Sequence, residues 1–181
     1  EDHAICWPDA DLQIEAVSLL LKTCISLGHS AHISEHASTL QRLLDATPNA
    51  SIENRIQAYG TLAHIELDRG EYHRVLEICG TMPESDLLAC PSSTAFGILL
   101  LRQCALYRLG RFREAEDVCG WALSLAERDG DENQQGDVWM WMANISRLQG
   151  RLLPSLQMYL RAARHHRLAG DFTGVTRDLL N

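Results

Sequence analysis

Apolar residues recur along this chain at helical spacing, in segments that run up to a glycine and resume after it. Glycine tolerates the left-handed backbone conformation that ends a helix, so each such glycine predicts a turn at which a second helix folds back on the first. The spacing of these glycines is 42, 40 and 40 residues, which predicts a repeated helical hairpin. They are Gly28, Gly70, Gly110 and Gly150.

The residues at fixed distances from each glycine repeat as well. A bulky apolar residue lies eleven positions before it (Val17, Tyr59, Leu99, Trp139), and apolar or small residues lie five, nine and twelve positions after it. Those later sets are Ile33, Val75, Ala115 and Ser155; Ala37, Cys79, Cys119 and Tyr159; and Leu40, Met82, Ala122 and Ala162. Tyr72, Phe112 and Leu152 are predicted to open the second helices and plug the hairpins. One hairpin alone leaves an apolar face exposed, so stacking of hairpins is expected.

These signals divide the chain into nine helices. Residues 1–10 are predicted to be a linker or the frayed tail of a missing helix, with Trp7 packing on the first hairpin. Residues 83–91 form the most irregular stretch. The chain lacks an initiator Met and ends inside a predicted helix, so we expect it to be a fragment of a larger protein. The hairpins are predicted at about 11–46, 52–82, 93–128 and 136–168, with a partial fifth at 172–181, which together make residues 11–181 the repeat region.

The segment from Ala105 to Ala115, around Gly110, resembles the tetratricopeptide consensus at its turn between helices, and Trp139, Ala143 and Gly150 match the same consensus. The resemblance implies an all-α fold, a right-handed α-solenoid of tetratricopeptide-like antiparallel helical hairpins. The period of about 40 departs from the 34 residues of that family, which fits longer second helices. A HEAT-like array has a comparable period, but the glycine and aromatic turn favours the tetratricopeptide interpretation.

Residues 125–131 followed by Gly136, and residues 167–171 followed by Gly174, resemble the long-repeat arrays of bacterial transcriptional regulators of the MalT type. The resemblance covers roughly residues 55–181. It implies a ligand- or partner-binding sensor domain, which takes up a small-molecule inducer or a protein in that family. The alternative is a generic scaffold for protein–protein interaction, since scaffolds outside transcription share the pattern.

The composition limits the partners. The net charge is −8, and the 15 arginines are interleaved with acids, so direct contact with nucleic acid is not expected. No run of 18 apolar residues predicts a membrane span, and no signal peptide is visible. The six cysteines form no CxxC motif, so reduced thiols and a cytoplasmic location are expected.

No motif for catalysis or for nucleotide binding occurs, so we expect neither an enzyme nor a cofactor. His29, His32 and His36, with Glu35, form the best metal-like cluster, but no third ligand can be named, and a polar, partly exposed face at the start of a helix is the favoured explanation. His165 and His166 are expected to cap or line the last turn of their helix. Cys79 and Cys119 occupy equivalent core positions. A weaker hypothesis makes Cys104 a sensing thiol.

The first helices of stacked hairpins line a concave surface, and its polar positions are the candidate binding site. Arginine suits carboxylate or phosphate groups, and tyrosine suits stacking on sugars or peptides. We therefore expect a protein or peptide partner, or a small-molecule inducer, and a possible homodimer through the solenoid ends. The wider set of positions also includes Glu15, Ser18, Gln57, Cys104 and Asp137. The predicted contact residues are Lys22, His64, Asp68, Tyr107, Arg108, Asn144 and Arg147.

Overall fold

A computed structural model of the chain describes residues 9–28 and 30–181. Trp7, most of the predicted N-terminal linker and His29 lie outside these residues. Across the described part of the chain the regular elements are all α-helices, so the all-α prediction is confirmed. The helices are α1 (Ala10–Ser26), α2 (Ser30–Ala46), α3 (Ile52–Asp68), α4 (Tyr72–Gly80), α5 (Glu84–Ala89), α6 (Ser92–Arg108), α7 (Phe112–Asp129), α8 (Glu132–Leu148), α9 (Leu152–Ala169) and α10 (Phe172–Leu180).

Every predicted turn glycine adopts the left-handed conformation. The φ angle lies between +71° and +79° at Gly28, Gly70, Gly110 and Gly150. The hydrogen bonding of these turns is illustrated after α6, where the N–H of Arg111 donates to the carbonyl of Leu106 at 2.9 Å. This bond closes the Schellman motif, which satisfies carbonyls at the end of a helix and starts the chain back along it.

A second set of turns joins one hairpin to the next in the C-terminal half. Gly130 and Gly170 also have positive φ, at +67° and +77°. The aspartate that follows each glycine caps the next helix: the Asp131 carboxylate accepts the N–H of Gln134 at 3.0 Å, and Asp171 makes the equivalent bond at the start of α10 at 2.9 Å. The Gly-Asp pair therefore ends one helix and begins another without a loop.

The chain divides into two compact units, residues 1–95 and 96–181. In the first unit α1 packs against α2 and α3, and α3 packs against α4 and α5. The carboxylate of Asp11 accepts the N–H of Ser51 at 2.8 Å, which joins the start of α1 to the start of α3. The largest fully buried apolar side chains of this unit are Ile14, Leu21, Leu40, Ile56 and Val75.

In the second unit α8 packs against α7 and α9, and α9 packs against α10. The predicted register holds here, because the positions five, nine and twelve after the turn glycine are buried in both second helices. These residues are Ala115, Cys119 and Ala122 in α7, and Ser155, Tyr159 and Ala162 in α9. Small side chains at most of these positions let the helices approach closely. The stacking of all hairpins into a right-handed solenoid stays a prediction.

Two helix boundaries differ from those predicted. The stretch thought irregular contains α5, which begins after Pro83, carries Glu84 and Asp86 in its first turn and buries Leu87. Helix α8 begins at Glu132 rather than near residue 136, because the Asp131 cap starts it directly after the turn.

Three side chains are placed differently from the predictions. Ser18 is buried rather than facing a groove, since it shares a helix face with the core residues Ile14 and Leu21. Leu152 does not plug its hairpin but is 67% exposed. His166, expected to cap or line the end of α9, is fully buried.

The imidazole of His166 locks α8, α9 and α10 together. The ring lies between Gly136 and Gly174. A Cβ atom added at Gly136 would come within 2.6 Å of the ring. A Cβ atom added at Gly174 would come within 2.7 Å of the Cγ atom of His166. Both distances are shorter than real Cβ contacts allow, so any larger residue would displace the ring. The close approach of the three helices therefore depends on the absence of side chains at these two glycines.

A buried carboxylate accompanies this ring. Nδ1 of His166 lies 2.6 Å from Oδ2 of Asp178, and both side chains are inaccessible to solvent. Arg177 pairs with Asp137 at 3.0 Å, and both contact the other ring nitrogen at 3.4 Å. Oδ1 of Asp178 has no hydrogen-bond partner, and burial raises the pKa of this carboxyl against the opposing effect of His166.

We predict that Gly136→Ala destabilises the protein by about 1–3 kcal/mol, because the added methyl group overpacks the site of the imidazole. Gly120→Ala is the matched control, since this glycine lies inside α7 with nothing within 4 Å of an added Cβ. It should stabilise the protein by about 0.4–1 kcal/mol. Urea denaturation measures both, and equal effects at the two positions would contradict the packing described.

We also predict that Asp178→Asn gains stability relative to the wild type as the pH rises from about 4. The raised pKa means that the folded protein keeps this proton where the unfolded chain has lost it, so the contribution of Asp178 to stability falls as the pH passes through that pKa. Asparagine cannot ionise. Urea unfolding of both proteins between pH 4 and pH 7 tests this. A relative loss for Asp178→Asn with rising pH would show instead that the carboxylate is stabilised on folding.

Candidate binding surface

Three of the seven predicted contact residues lie in the first unit. Lys22 is exposed on α1. On α3, Nδ1 of His64 lies 3.3 Å from the carboxylate of Asp68, and both side chains are more than half exposed. An exposed pair four residues apart contributes little to stability. Each of these three side chains presents one polar group. Among the described residues, no contact joins Lys22 to His64 or Asp68.

The second unit brings aromatic side chains together beside the other predicted residues. The ring of Tyr107, near the end of α6, meets the ring of Phe112 edge-on at 6.4 Å. It meets the ring of Trp141, on α8, in the same way at 6.2 Å. Both distances and angles are those that aromatic pairs prefer. Tyr107 and Trp141 are half-buried, so part of each ring remains accessible.

The hydroxyl of Tyr159 organises the polar part of this surface. It donates to the side-chain oxygen of Asn144 at 2.6 Å, which turns the amide nitrogen of Asn144 away from it. The guanidinium of Arg147 interacts with the same hydroxyl, which raises the pKa of Arg147, with a smaller contribution from Tyr107. Asn144 and Arg147 are three residues apart on one face of α8. One buried tyrosine on α9 therefore fixes the amide of Asn144 and interacts with the guanidinium of Arg147.

Arg147 carries a charge that the described residues do not neutralise. None of the ion pairs formed among them involves Arg147, and its side chain is exposed. A guanidinium presents several N–H donors in a planar fork that matches a carboxylate or a phosphate. The group formed by Tyr107, Trp141, Asn144 and Arg147 is called the α6–α8 surface below.

Arg108 does not join the α6–α8 surface through any contact in the described part of the chain. It lies one turn from Cys104 on α6, and its positive charge acts to lower the pKa of that thiol. Burial nevertheless raises the pKa of Cys104, so the thiolate is less available than in a free cysteine. Cys119 is buried as predicted, and its pKa is raised to about 12 by burial. These pKa values weaken the thiol-sensor hypothesis.

The histidines of α2 show no metal geometry. The rings of His32 and His36 lie 6.1 Å apart, and no group of three potential ligands occurs among the residues that the structure describes. In the same residues no helix combines the length and the apolar content needed to cross a bilayer.

The sequence pattern named three members of this arrangement, Tyr107, Asn144 and Arg147, but missed two others. Trp141 is not among the predicted contact residues. Tyr159 was assigned to the core, nine residues after Gly150, and it is indeed buried. The signal overlooked was its chemistry: the equivalent position holds cysteine in α4 and α7, and a buried tyrosine needs a partner for its hydroxyl.

We predict that Tyr159→Phe destabilises the protein by about 1 kcal/mol, because the half-buried oxygen of Asn144 loses its donor while the packing of the ring is kept. Tyr72→Phe, at the start of α4, is the control. Its hydroxyl takes part in no hydrogen bond among the described residues, so the change should stay within about 0.5 kcal/mol. Denaturant unfolding distinguishes the two, and equal losses would contradict the role given to the Tyr159 hydroxyl.

Comparison with protein-family models matches none of them, and a search of curated proteins finds no significant match. The resemblance to tetratricopeptide arrays and to MalT-type regulators therefore rests on the turn residues and glycines quoted above.

Proposed function

We propose that this chain is a binding module, and that its α6–α8 surface takes the anionic group of a peptide or a small-molecule ligand. One observation carries the proposal: an exposed arginine without a carboxylate partner lies near the hydroxyl of a buried tyrosine, on a surface that also presents accessible aromatic rings. A guanidinium left unpaired on a surface rich in acids is available for a carboxylate or phosphate from outside.

The neighbouring groups support the same ligand chemistry. The amide nitrogen of Asn144 offers a second donor next to Arg147, and the side chain of Asn144 is anchored to Tyr159 before any ligand arrives. Anchoring reduces the side-chain entropy that is lost on binding. Tyr107 and Trp141 supply flat apolar surface for a peptide side chain or a sugar ring.

We further propose that the module serves as the sensor array of a transcriptional regulator, with a protein-interaction scaffold as the alternative. The support is the resemblance of the glycine and aspartate turns to the long-repeat arrays of such regulators. The gene that encodes this chain tests the context. A nucleotide-binding module and a helix-turn-helix module in the encoded protein would support a regulator, and their absence would favour the scaffold.

The binding proposal predicts a preference for negative charge that depends on Arg147. The probes are inorganic phosphate, a sugar phosphate, and a set of short peptides with a free C-terminal carboxylate, each paired with its C-terminal amide. We expect at least one charged probe to bind about tenfold more tightly than its neutral partner. Arg147→Gln should remove that preference, since a charge-assisted bond contributes roughly 1.5–3 kcal/mol. Calorimetric titration measures the affinities.

Arg113→Gln is the control, because Arg113 is an exposed arginine of α7 that lies outside the α6–α8 surface. It should leave the affinity unchanged. Arg108→Gln shows whether the neighbouring arginine contributes. Binding that survives Arg147→Gln, or no binding by any probe, would overturn the assignment of the site.

A further inference from the structure

The outer face of α9 carries three exposed leucines in a row. Leu153, Leu156 and Leu160 are 76%, 55% and 53% exposed, and their spacing of three and four residues places them on one helix face. Arg164 and Arg167 continue the same face toward the end of the helix. These five residues are called the α9 stripe below.

The fold does not need leucine at these positions. The residues three, six and ten after the turn glycine are Arg113, Glu116 and Gly120 in α7. In α4 the same positions hold His73, Leu76 and Gly80, and in α2 they hold Ala31, Ser34 and Ser38. The helices α2, α4 and α7 therefore carry at most one leucine at these three positions, whereas α9 carries three.

The opposite face of α9 already supplies its packing. Ser155, Tyr159, Ala162 and His166 are buried against the rest of the second unit. The three leucines add nothing to that core, and they expose apolar area to water. A contiguous apolar patch bordered by charged residues is typical of an interaction site.

The charges at the end of the stripe indicate the partner. Arg161 lies over the ring of Trp139 at 4.8 Å, but Arg164 and Arg167 form no ion pair within the part of the chain that the structure describes. Residues 151–181 hold five arginines and two aspartates, although the whole chain has a net charge of −8. The stripe is therefore apolar at one end and unneutralised positive at the other.

We propose that the α9 stripe docks an amphipathic helix of a partner protein, with apolar residues against the three leucines and glutamate or aspartate against Arg164 and Arg167. From Leu153 to Arg167 the stripe is about 21 Å long, which matches a partner helix of about four turns. This surface is separate from the α6–α8 surface, so it adds a second binding site to the module.

The charges decide against two other occupants. A second copy of the chain that docked through the same stripe would add arginines to arginines and provide no carboxylate for them. Segments that bind anionic membranes carry clusters of about four to eight basic residues, and the stripe offers only two arginines. An acidic helix satisfies both the leucines and the arginines.

The probe is a synthetic helical peptide of about 18 residues, with leucines at the a and d positions of its heptads and glutamates beside them. A second peptide has lysine in place of each glutamate. We expect the acidic peptide to bind with a Kd below about 100 μM and the basic peptide to bind at least tenfold more weakly. The variant with Leu156→Gln and Leu160→Gln should weaken the acidic peptide at least tenfold.

Charge reversal provides the sharper test. The variant with Arg164→Glu and Arg167→Glu should lose the acidic peptide and gain the basic one. Leu88→Gln is the control, since Leu88 on α5 is 54% exposed and lies outside the stripe. All the substituted side chains are exposed, so the melting temperatures of the variants should match that of the wild type. Binding of the acidic peptide that is unchanged in the leucine or charge-reversal variants would overturn the proposal.

Two further results would also overturn it. One is dimerisation of the wild type in sedimentation velocity that the leucine substitutions abolish and the acidic peptide does not prevent. The other is leucine-dependent binding to vesicles of phosphatidylserine and phosphatidylcholine without binding of the acidic peptide. Neither result depends on Arg147, so they are distinct from a failure of the α6–α8 surface.

Discussion

A glycine with positive φ ends the first helix of each long hairpin, and the positions of all later side chains follow from it. The turn is short and closed by Schellman hydrogen bonds, so the second helix must start in a fixed direction. This fixed start places the residues five, nine and twelve positions later against the first helix. In α9 it also turns Leu153, Leu156 and Leu160 outward. The buried positions of the second helices and the α9 stripe thus follow from one backbone constraint.

This constraint explains how much of the fold the sequence could predict. Spacing identified the turn glycines and the buried positions, because both repeat and because glycine is the residue that tolerates positive φ. Helix α5 was missed since it lies between hairpins and has no repeat. The burial of His166 was missed because it depends on Gly136 and Gly174, which stand on two other helices, and linear spacing does not show which side chain a glycine leaves room for.

The α6–α8 surface was predictable in part for a related reason. Tyr107, Asn144 and Arg147 were predicted because they occupy polar positions on first helices. Their connection could not be inferred, since it passes through the hydroxyl of Tyr159, a residue that the same register assigns to the core. A buried tyrosine can pack its ring in the core while its hydroxyl hydrogen-bonds to a side chain at the surface. Arg108 shows the converse, because its predicted position on the surface does not bring it into the cluster.

The central claim is that the α6–α8 surface, which includes the Trp141 ring, binds an anionic group through Arg147. Side-chain nuclear magnetic resonance tests it directly, since the four tryptophans of the chain give separate indole signals and arginine Nε–Hε signals can be assigned. During titration with a short peptide that has a free C-terminal carboxylate, the signals of Trp141 and Arg147 should shift together and saturate at one affinity. Saturable shifts confined to other tryptophans and arginines, with Trp141 and Arg147 unmoved, would contradict it.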